Sequence, residues 1–270
     1  MRERHIDPGE HTVYSSLRQF MDAGEYPPGV LTVMHGGLPI DIRHEPLGHD
    51  TTTVFFHSAL SPQWSGFPVF TGLGISKDLP TNRVFITDPS LYLHDKLMLG
   101  WYAGNRKQPR LQWAIRGILN RLIPAEQRVV TFGASGGGFA ALYYAGTREG
   151  AVAVPVNPQT NLARYLPAAV ARYAKLAWAL HGEGALNQMP AVTDLARVHR
   201  APGRPVFYVQ NQNDPTHMKN HFTPFMDGLS EGHSVHPVLV DGEQGHRPPP
   251  KSTIRAVLAA AVNGDERPPS

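Results

Sequence analysis

The sequence predicts an α/β protein: a mostly parallel, twisted sheet with helices on both faces and a helical insertion. Three observations predict it. From about residue 50 onward, short apolar runs of strand length alternate with runs of helical periodicity. The run "RVVTF" (128–132) passes through a glycine-rich turn straight into a helical pattern. Between 157 and 203 no convincing strand occurs, while "LARYLPAAVARYAKLAWAL" (162–180) is helical and amphipathic, so this block reads as an insertion over one end of the sheet.

The elements follow in order. Residues 1–29 read as an extension or a first edge element. "VLTVMH" (30–35) and "LPIDIRHEP" (38–46) are strands joined by Gly36-Gly37, a hairpin turn. "TTTVFFH" (51–57) is β-branched and aromatic on both faces, which predicts a strand buried on both sides. The 38–57 region is expected to supply an antiparallel edge. "RVFITD" (83–88) is a short apolar strand. "LQWAIRGILNRLI" (111–123) spaces its apolar residues as a helix does, and Pro124 stops it. "FAALYYAG" (139–146) is a helix ended by glycine. "AVAVPV" (151–156), "RPVFYVQ" (204–210) and "HSVHPVLVD" (233–241) are strands, and "STIRAVLAAAV" (252–262) is the last helix.

Composition narrows the function classes. Of 270 residues, 41% are hydrophobic and 17% charged, which is globular and allows one large domain. Cysteine is absent, excluding disulfides, thiol catalysis and cysteine-ligated metals. That fits a cytoplasmic location, as does an N-terminus with no apolar stretch behind its charges. No run approaches the length of a membrane helix. The net charge is only +3 and the basic residues are scattered, so no nucleic-acid footprint is expected.

The glycine-rich turn is "TFGASGGGFAAL" (131–142). Gly133-x-Ser135-x-Gly137 lies between a strand and a helix, the context a displayed nucleophile requires. Its neighbours must be small because its backbone is strained. The helix behind it aims amide N–H groups at the site, and Gly136 N–H can stabilise an oxyanion. A chance match in a chain with 26 glycines is the alternative. Two more residues decide against chance. Asp214 lies just beyond "VFYVQNQND", and His246 follows the last strand in "VHPVLVDGEQGH", so the chain order is Ser, Asp, His. Each follows the C-terminal end of a predicted parallel strand, where open α/β sheets place their sites.

From residue 50 to 262 the chain resembles the α/β-hydrolase superfamily. The resemblance implies that fold as a single domain over 1–270, with 157–203 as a cap-like insertion. It also implies a serine hydrolase that cleaves an ester without a cofactor, Ser135 being nucleophile, His246 base and Asp214 the orienting acid. The second oxyanion donor would come from "FFHSALSP", at Ser58 or Ala59. An acyltransferase or deacetylase acting on a glycan, a peptidase, a lactonase, and a non-catalytic binding protein of the same fold remain open. "PVNPQTNL" (155–162) resembles a segment of α/β-hydrolase-like proteins associated with bacterial surface glycans. On that likeness Asn157, Gln159 and Thr160 would offer hydrogen bonds to a small-molecule or glycan ester; the alternative is a polar strand-to-helix turn with a purely structural role. His217 would line the site or lie in solvent.

Other candidates read as structural. Asp88 caps or turns the chain before Pro89. Asp241 and Glu243 are weaker rivals for the acid. "HEPLGH" (44–49) has H-E-x-x-x-H spacing, and Pro46 and Gly48 break the helix a zinc site needs. "GLG" (72–74) lacks the third glycine of a dinucleotide loop.

Overall fold

The computed structural model describes residues 2–64, 66–196, 198–199 and 203–269. Residues 197 and 200–202 of the expected insertion, and Met1, Ser65 and Ser270 of the expected domain, lie outside the described residues. The chain begins with β1 (His11–Tyr14) and α1 (Leu17–Asp22), whose Ser16 cap accepts from Gln19 N–H. β2 (Gly29–His35) and β3 (Leu38–Glu45) form the expected hairpin, with His35 opposite Leu38. Gly36 and Gly37 both have positive φ, as this two-residue turn demands. Then come β4 (Thr51–Phe56), α2 (Leu73–Ser76), β5 (Asn82–Ile86), α3 (Leu111–Leu122), β6 (Arg128–Ala134), α4 (Gly136–Gly146) and β7 (Val152–Val156). They are followed by α5 (Pro167–Tyr173), β8 (Val206–Asn211), α6 (Pro215–His217), α7 (Thr223–Asp227), β9 (Val235–Val240) and α8 (Lys251–Asn263).

The described strands form one nine-stranded sheet in the order β1-β2-β3-β5-β4-β6-β7-β8-β9. β3 runs against both of its neighbours, and every other pair is parallel. The sheet departs from the expected antiparallel edge over 38–57. β3 is antiparallel but flanked on both sides, and β4 is parallel and central. Apolar and threonine side chains on both faces of β4 are buried along its whole length, which only an interior strand allows. β1, within the 1–29 region read as an extension or a first edge element, supplies the edge and pairs parallel to β2.

Each face of the sheet has its own core. Val54, Phe56, Ile115, Ile118, Phe139 and Leu142 pack on one side. On the other, Phe55, Phe85, Val154 and Phe207 meet Ile254, Val257 and Leu258 of α8. Each fully buried aliphatic or aromatic side chain contributes about 1.5–3 kcal/mol, so both layers anchor the strand ends firmly. Over 162–180 the expected helix is broken. Leu162–Arg164 form a 3₁₀ turn, α5 starts at Pro167, and Ala174–Trp178 widen into a π turn closed by Ala179 at φ 59°. Pro167 lacks an N–H, so it starts a helix and cannot continue one. Among the described residues no helix is long and apolar enough to cross a membrane.

The topology fixes where a site can form. β5 lies on one side of β4 and β6 on the other, so the connections leaving β4 and β6 diverge. Such a divergence, at the C-terminal ends of β4 and β6, is where open α/β sheets place their sites.

Candidate active site

Ser135 occupies the turn between β6 and α4 with φ 53° and ψ −116°. A side chain in this left-handed region is strained, and the surroundings hold it there. Ser135 N–H donates to Val156 C=O at 2.9 Å, and its own C=O accepts from Phe139 N–H and Gln159 N–H, each at 3.2 Å. The flanking glycines answer a steric need. A Cβ on Gly133 would lie 2.2 Å from Gly137 O, and one on Gly137 would lie 2.3 Å from Phe56 O. The G-x-S-x-G spacing therefore lets β6, α4 and β4 close on one another around the serine.

Two other strand ends meet there. His246 Nε2 lies 3.1 Å from Ser135 Oγ, and its Nδ1 lies 2.8 Å from Asp214 Oδ2. Asp214 is buried, whereas the His246 side chain is about 39% exposed. One face of the imidazole is thus open to solvent while its carboxylate partner is shielded. Burial pushes the Asp214 carboxyl up, but the His217 N–H bond and the two neighbouring imidazoles outweigh it and hold the carboxyl below its ordinary value. Asp241 instead accepts from Asn213 Nδ2 at 2.7 Å, and Glu243 stands exposed beside Arg247.

The loop carrying His246 is latched by two asparagines. Asn211 Nδ2 donates to Glu243 C=O at 2.7 Å and Gly245 C=O at 3.1 Å. Asn157 Nδ2 donates to Arg247 C=O at 2.9 Å, and its Oδ1 accepts from Asn211 N–H at 2.7 Å. Asn157 is buried at φ 42°, so it ties the ends of β7, β8 and the last loop together and does not face an open cleft. Gln159 likewise follows the structural alternative and not the substrate-facing one. It is fully buried, accepts from Trp101 Nε1 at 2.8 Å and donates to Ser135 Oγ at 2.5 Å. Both residues are spent on internal bonds because the turn after β7 folds under the serine. Thr160 is buried too, its hydroxyl donating to His221 C=O at 3.0 Å.

His217 lies in neither solvent nor an open pocket. It is buried and stacked on His246, with ring centroids 3.9 Å apart and 8° between planes. Its Nδ1 approaches Asp214 Oδ2 to 2.8 Å without a well-aligned N–H···O bond. Burial, reinforced by the charge of His246, lowers its pKa to about 4, so it is neutral near pH 7. Asp214, His217 and His246 place ligand atoms within 4.8 Å of one another. The stacked rings lie in separate parallel planes, so their in-plane lone pairs cannot both reach one ion at about 2.0–2.1 Å. The cluster suits proton transfer and not metal binding.

Gly136 N–H opens α4 beside Ser135 and, as a first-turn amide, has no intrahelical partner. Among the described residues, no acceptor takes the Ser58 or Ala59 N–H. The loop holding those two is fixed by His57, which the sequence did not single out. His57 Nε2 accepts from Asp88 N–H at 3.0 Å, which leaves the proton on Nδ1 to donate to Ser58 C=O at 2.8 Å. Burial lowers its pKa to about 4, keeping that tautomer neutral. Asp88 caps a turn as expected, accepting from Ser90 N–H at 2.9 Å, and also accepts from Tyr102 N–H at 2.8 Å. The one signal for His57 and Asn211 was a polar residue ending an apolar strand.

The topology, with a strained serine after β6 and an acid and a histidine after β8 and β9, is the α/β-hydrolase fold. No protein-family model matches the chain, and no curated protein matches it in sequence. Among solved structures it is similar to the capsule O-acetyltransferase of Neisseria meningitidis serogroup A, with TM-score 0.64, 14% identity, and coverage of 90% of this chain and 98% of that one. It is also similar to the 2,6-dihydroxy-pseudo-oxynicotine hydrolase, with TM-score 0.59, 14% identity, and coverage of 90% and 71%. A third is the acylaminoacyl peptidase of Pyrococcus horikoshii, with TM-score 0.56, 14% identity, and coverage of 89% and 42%.

Proposed function

We propose that the protein is a serine-dependent ester enzyme of the carboxylesterase type, working through an acyl-enzyme on Ser135. The observation that carries this reading is the continuous relay from Asp214 Oδ2 through His246 to Ser135 Oγ, with spans of 2.8 and 3.1 Å. Ser135 Oγ attacks the ester carbonyl as its proton passes to His246 Nε2. Asp214 holds the imidazole and offsets the charge that forms on it. Gly136 N–H, with Ser58 or Ala59 N–H, receives the oxyanion. His246 returns the proton to the departing alcohol, and water releases the acyl group by the reverse sequence. A binding module would have no use for a strained serine aligned with a base, which favours catalysis over a non-catalytic role. The enzyme acts as one domain over 1–270, in the cytoplasm, with 157–203 as a cap-like element beside the cleft.

A second reading is acyl transfer to a glycan hydroxyl. It is favoured by the likeness to a capsule O-acetyltransferase, one of whose structures is a complex with CoA. The exposed face of His246 gives water or an acceptor hydroxyl the same access. Turnover of p-nitrophenyl acetate and of acetyl-CoA, each with and without a polysaccharide acceptor, separates the two. Hydrolysis predicts acceptor-independent rates, and transfer predicts acetylated glycan. In either case Ser135→Ala lowers turnover by on the order of 10⁴–10⁶. Wild-type turnover in that variant would rule out the mechanism.

A further inference from the structure

Ser135 Oγ has a second hydrogen-bonding neighbour besides the base. With His246 Nδ1–H on Asp214, Nε2 is left to accept the serine proton across 3.1 Å, while Gln159 Nε2 donates to Oγ at 2.5 Å. The orientation of the Gln159 amide is dictated by Trp101. An indole N–H only donates. The Gln159 oxygen must therefore accept from Trp101 Nε1, at 2.8 Å, and the NH₂ end must face the serine. Both residues are buried, and both are held. Gln159 N–H donates to Ser135 C=O at 3.2 Å. Trp101 and Tyr102 take left-handed backbone at φ 54° and 55°, fixed by Asp88 on Tyr102 N–H. Tyr165 and Tyr173 pack on the indole in T-shaped contacts. A donor so tightly fixed on the reacting oxygen carries out a task.

We propose that Gln159 is a catalytic residue of deacylation, donating from Nε2 to Ser135 Oγ as that oxygen leaves the acyl group. This rests on Ser135 being the nucleophile, as above. In the free enzyme the hydrogen bond to Oγ already exists, so it favours ground and transition states of acylation similarly and changes that rate little. In the acyl-enzyme, Oγ is an ester oxygen whose lone pair is delocalised into the carbonyl, which makes it a poor acceptor. Water then attacks the carbonyl carbon, and its proton passes to His246 Nε2. The C–Oγ bond breaks, negative charge grows on Oγ, and Oγ takes the proton back from His246. The Gln159 hydrogen bond strengthens only along this last step, so it accelerates deacylation selectively. An acceptor hydroxyl in place of water gains equally.

Stopped-flow hydrolysis of p-nitrophenyl acetate by the full chain separates the two half-reactions. A fluorophosphonate probe independently reports attack by the serine. For Gln159→Leu, probe labelling and the acylation phase are expected within about threefold of wild type. Deacylation falls on the order of 10²-fold, the effect of losing one donor to developing charge, and acetyl-enzyme accumulates in intact mass spectra. Because Gln159→Leu leaves the buried Trp101 N–H without an acceptor, the Trp101→Phe/Gln159→Leu double variant is measured alongside, and the same selective loss is expected. Equal losses in both phases, no loss in either, or restored deacylation in the double variant would overturn the proposal. If wild-type protein is not labelled at Ser135, it is the nucleophile reading that fails.

Discussion

Asp214 Oδ2 faces two imidazoles at once, and that shapes what each residue can do. His246 takes the aligned bond, while His217 stacks on it and stays neutral, so no second cation forms beside the imidazolium that the proposed reaction creates. Asp214→Asn presents an amide where the carboxylate stood and favours the wrong tautomer. kcat should fall on the order of 10⁴ with little change in fold by circular dichroism. Asp241→Asn, on an exposed carboxylate bonded only to Asn213 among the described residues, should leave kcat unchanged. The reverse pattern would move the acid to Asp241. Ser135, Asp214 and His246 were legible because each ends a strand-like run in a loop of fixed chain order. Asn157 and Gln159 were noticed for their polarity, but whether a polar side chain meets substrate or its own protein depends on how the turn folds. The indole that claims Gln159 lies far from it in sequence, where no local pattern can show it.

Elements meet at the serine through backbone contact, which is why glycine recurs there. The strand–turn–helix of β6 and α4 was readable because the glycine spacing has a single steric reason. The placement of β4 was not: a run buried on both faces says that a strand is interior without saying which strands flank it. Gly137 is the closest joint between α4 and β4, since its missing Cβ would meet Phe56 O and His57 O at 2.3 and 2.7 Å. Gly137→Ala must push backbone apart and should cost about 1–3 kcal/mol. It should also abolish probe labelling by shifting the Ser58–Ala59 loop from Gly136. Gly74→Ala in α2, with nothing within 4 Å of the added Cβ, should be neutral or slightly stabilising. Urea midpoints of the two variants check this, and equal midpoints would contradict the joint.

At the scale of the molecule, five histidines are buried among the described residues, His44, His57, His199, His217 and His221, and burial lowers each of them, which couples stability to pH. Burial lowers His57, His199 and His217 to about 4 and His221 to about 3. An unfolded histidine titrates near 6.5. Between about pH 6.5 and 4 the unfolded chain therefore binds protons that the folded chain refuses. Their contribution is complete above that window and is lost as pH falls through it. Each contributes a slope of about 1.4 kcal/mol per pH unit at most. Asp88, raised by burial, has the opposite sign. Urea midpoints should decline steadily from pH 7 to pH 4.5, and a flat or rising profile would contradict the neutral buried state. The composition showed fourteen histidines but not which are enclosed, because enclosure is set by tertiary packing.

The most direct measurement is an acid-quenched reaction of the wild-type chain with p-nitrophenyl acetate, followed by peptide mapping in a mass spectrometer. One acetyl group should be found on the peptide containing Ser135, absent in Ser135→Ala and more abundant in Gln159→Leu. An acetyl group on any other residue, or turnover with Ser135 never modified, would contradict an acyl-enzyme on this serine.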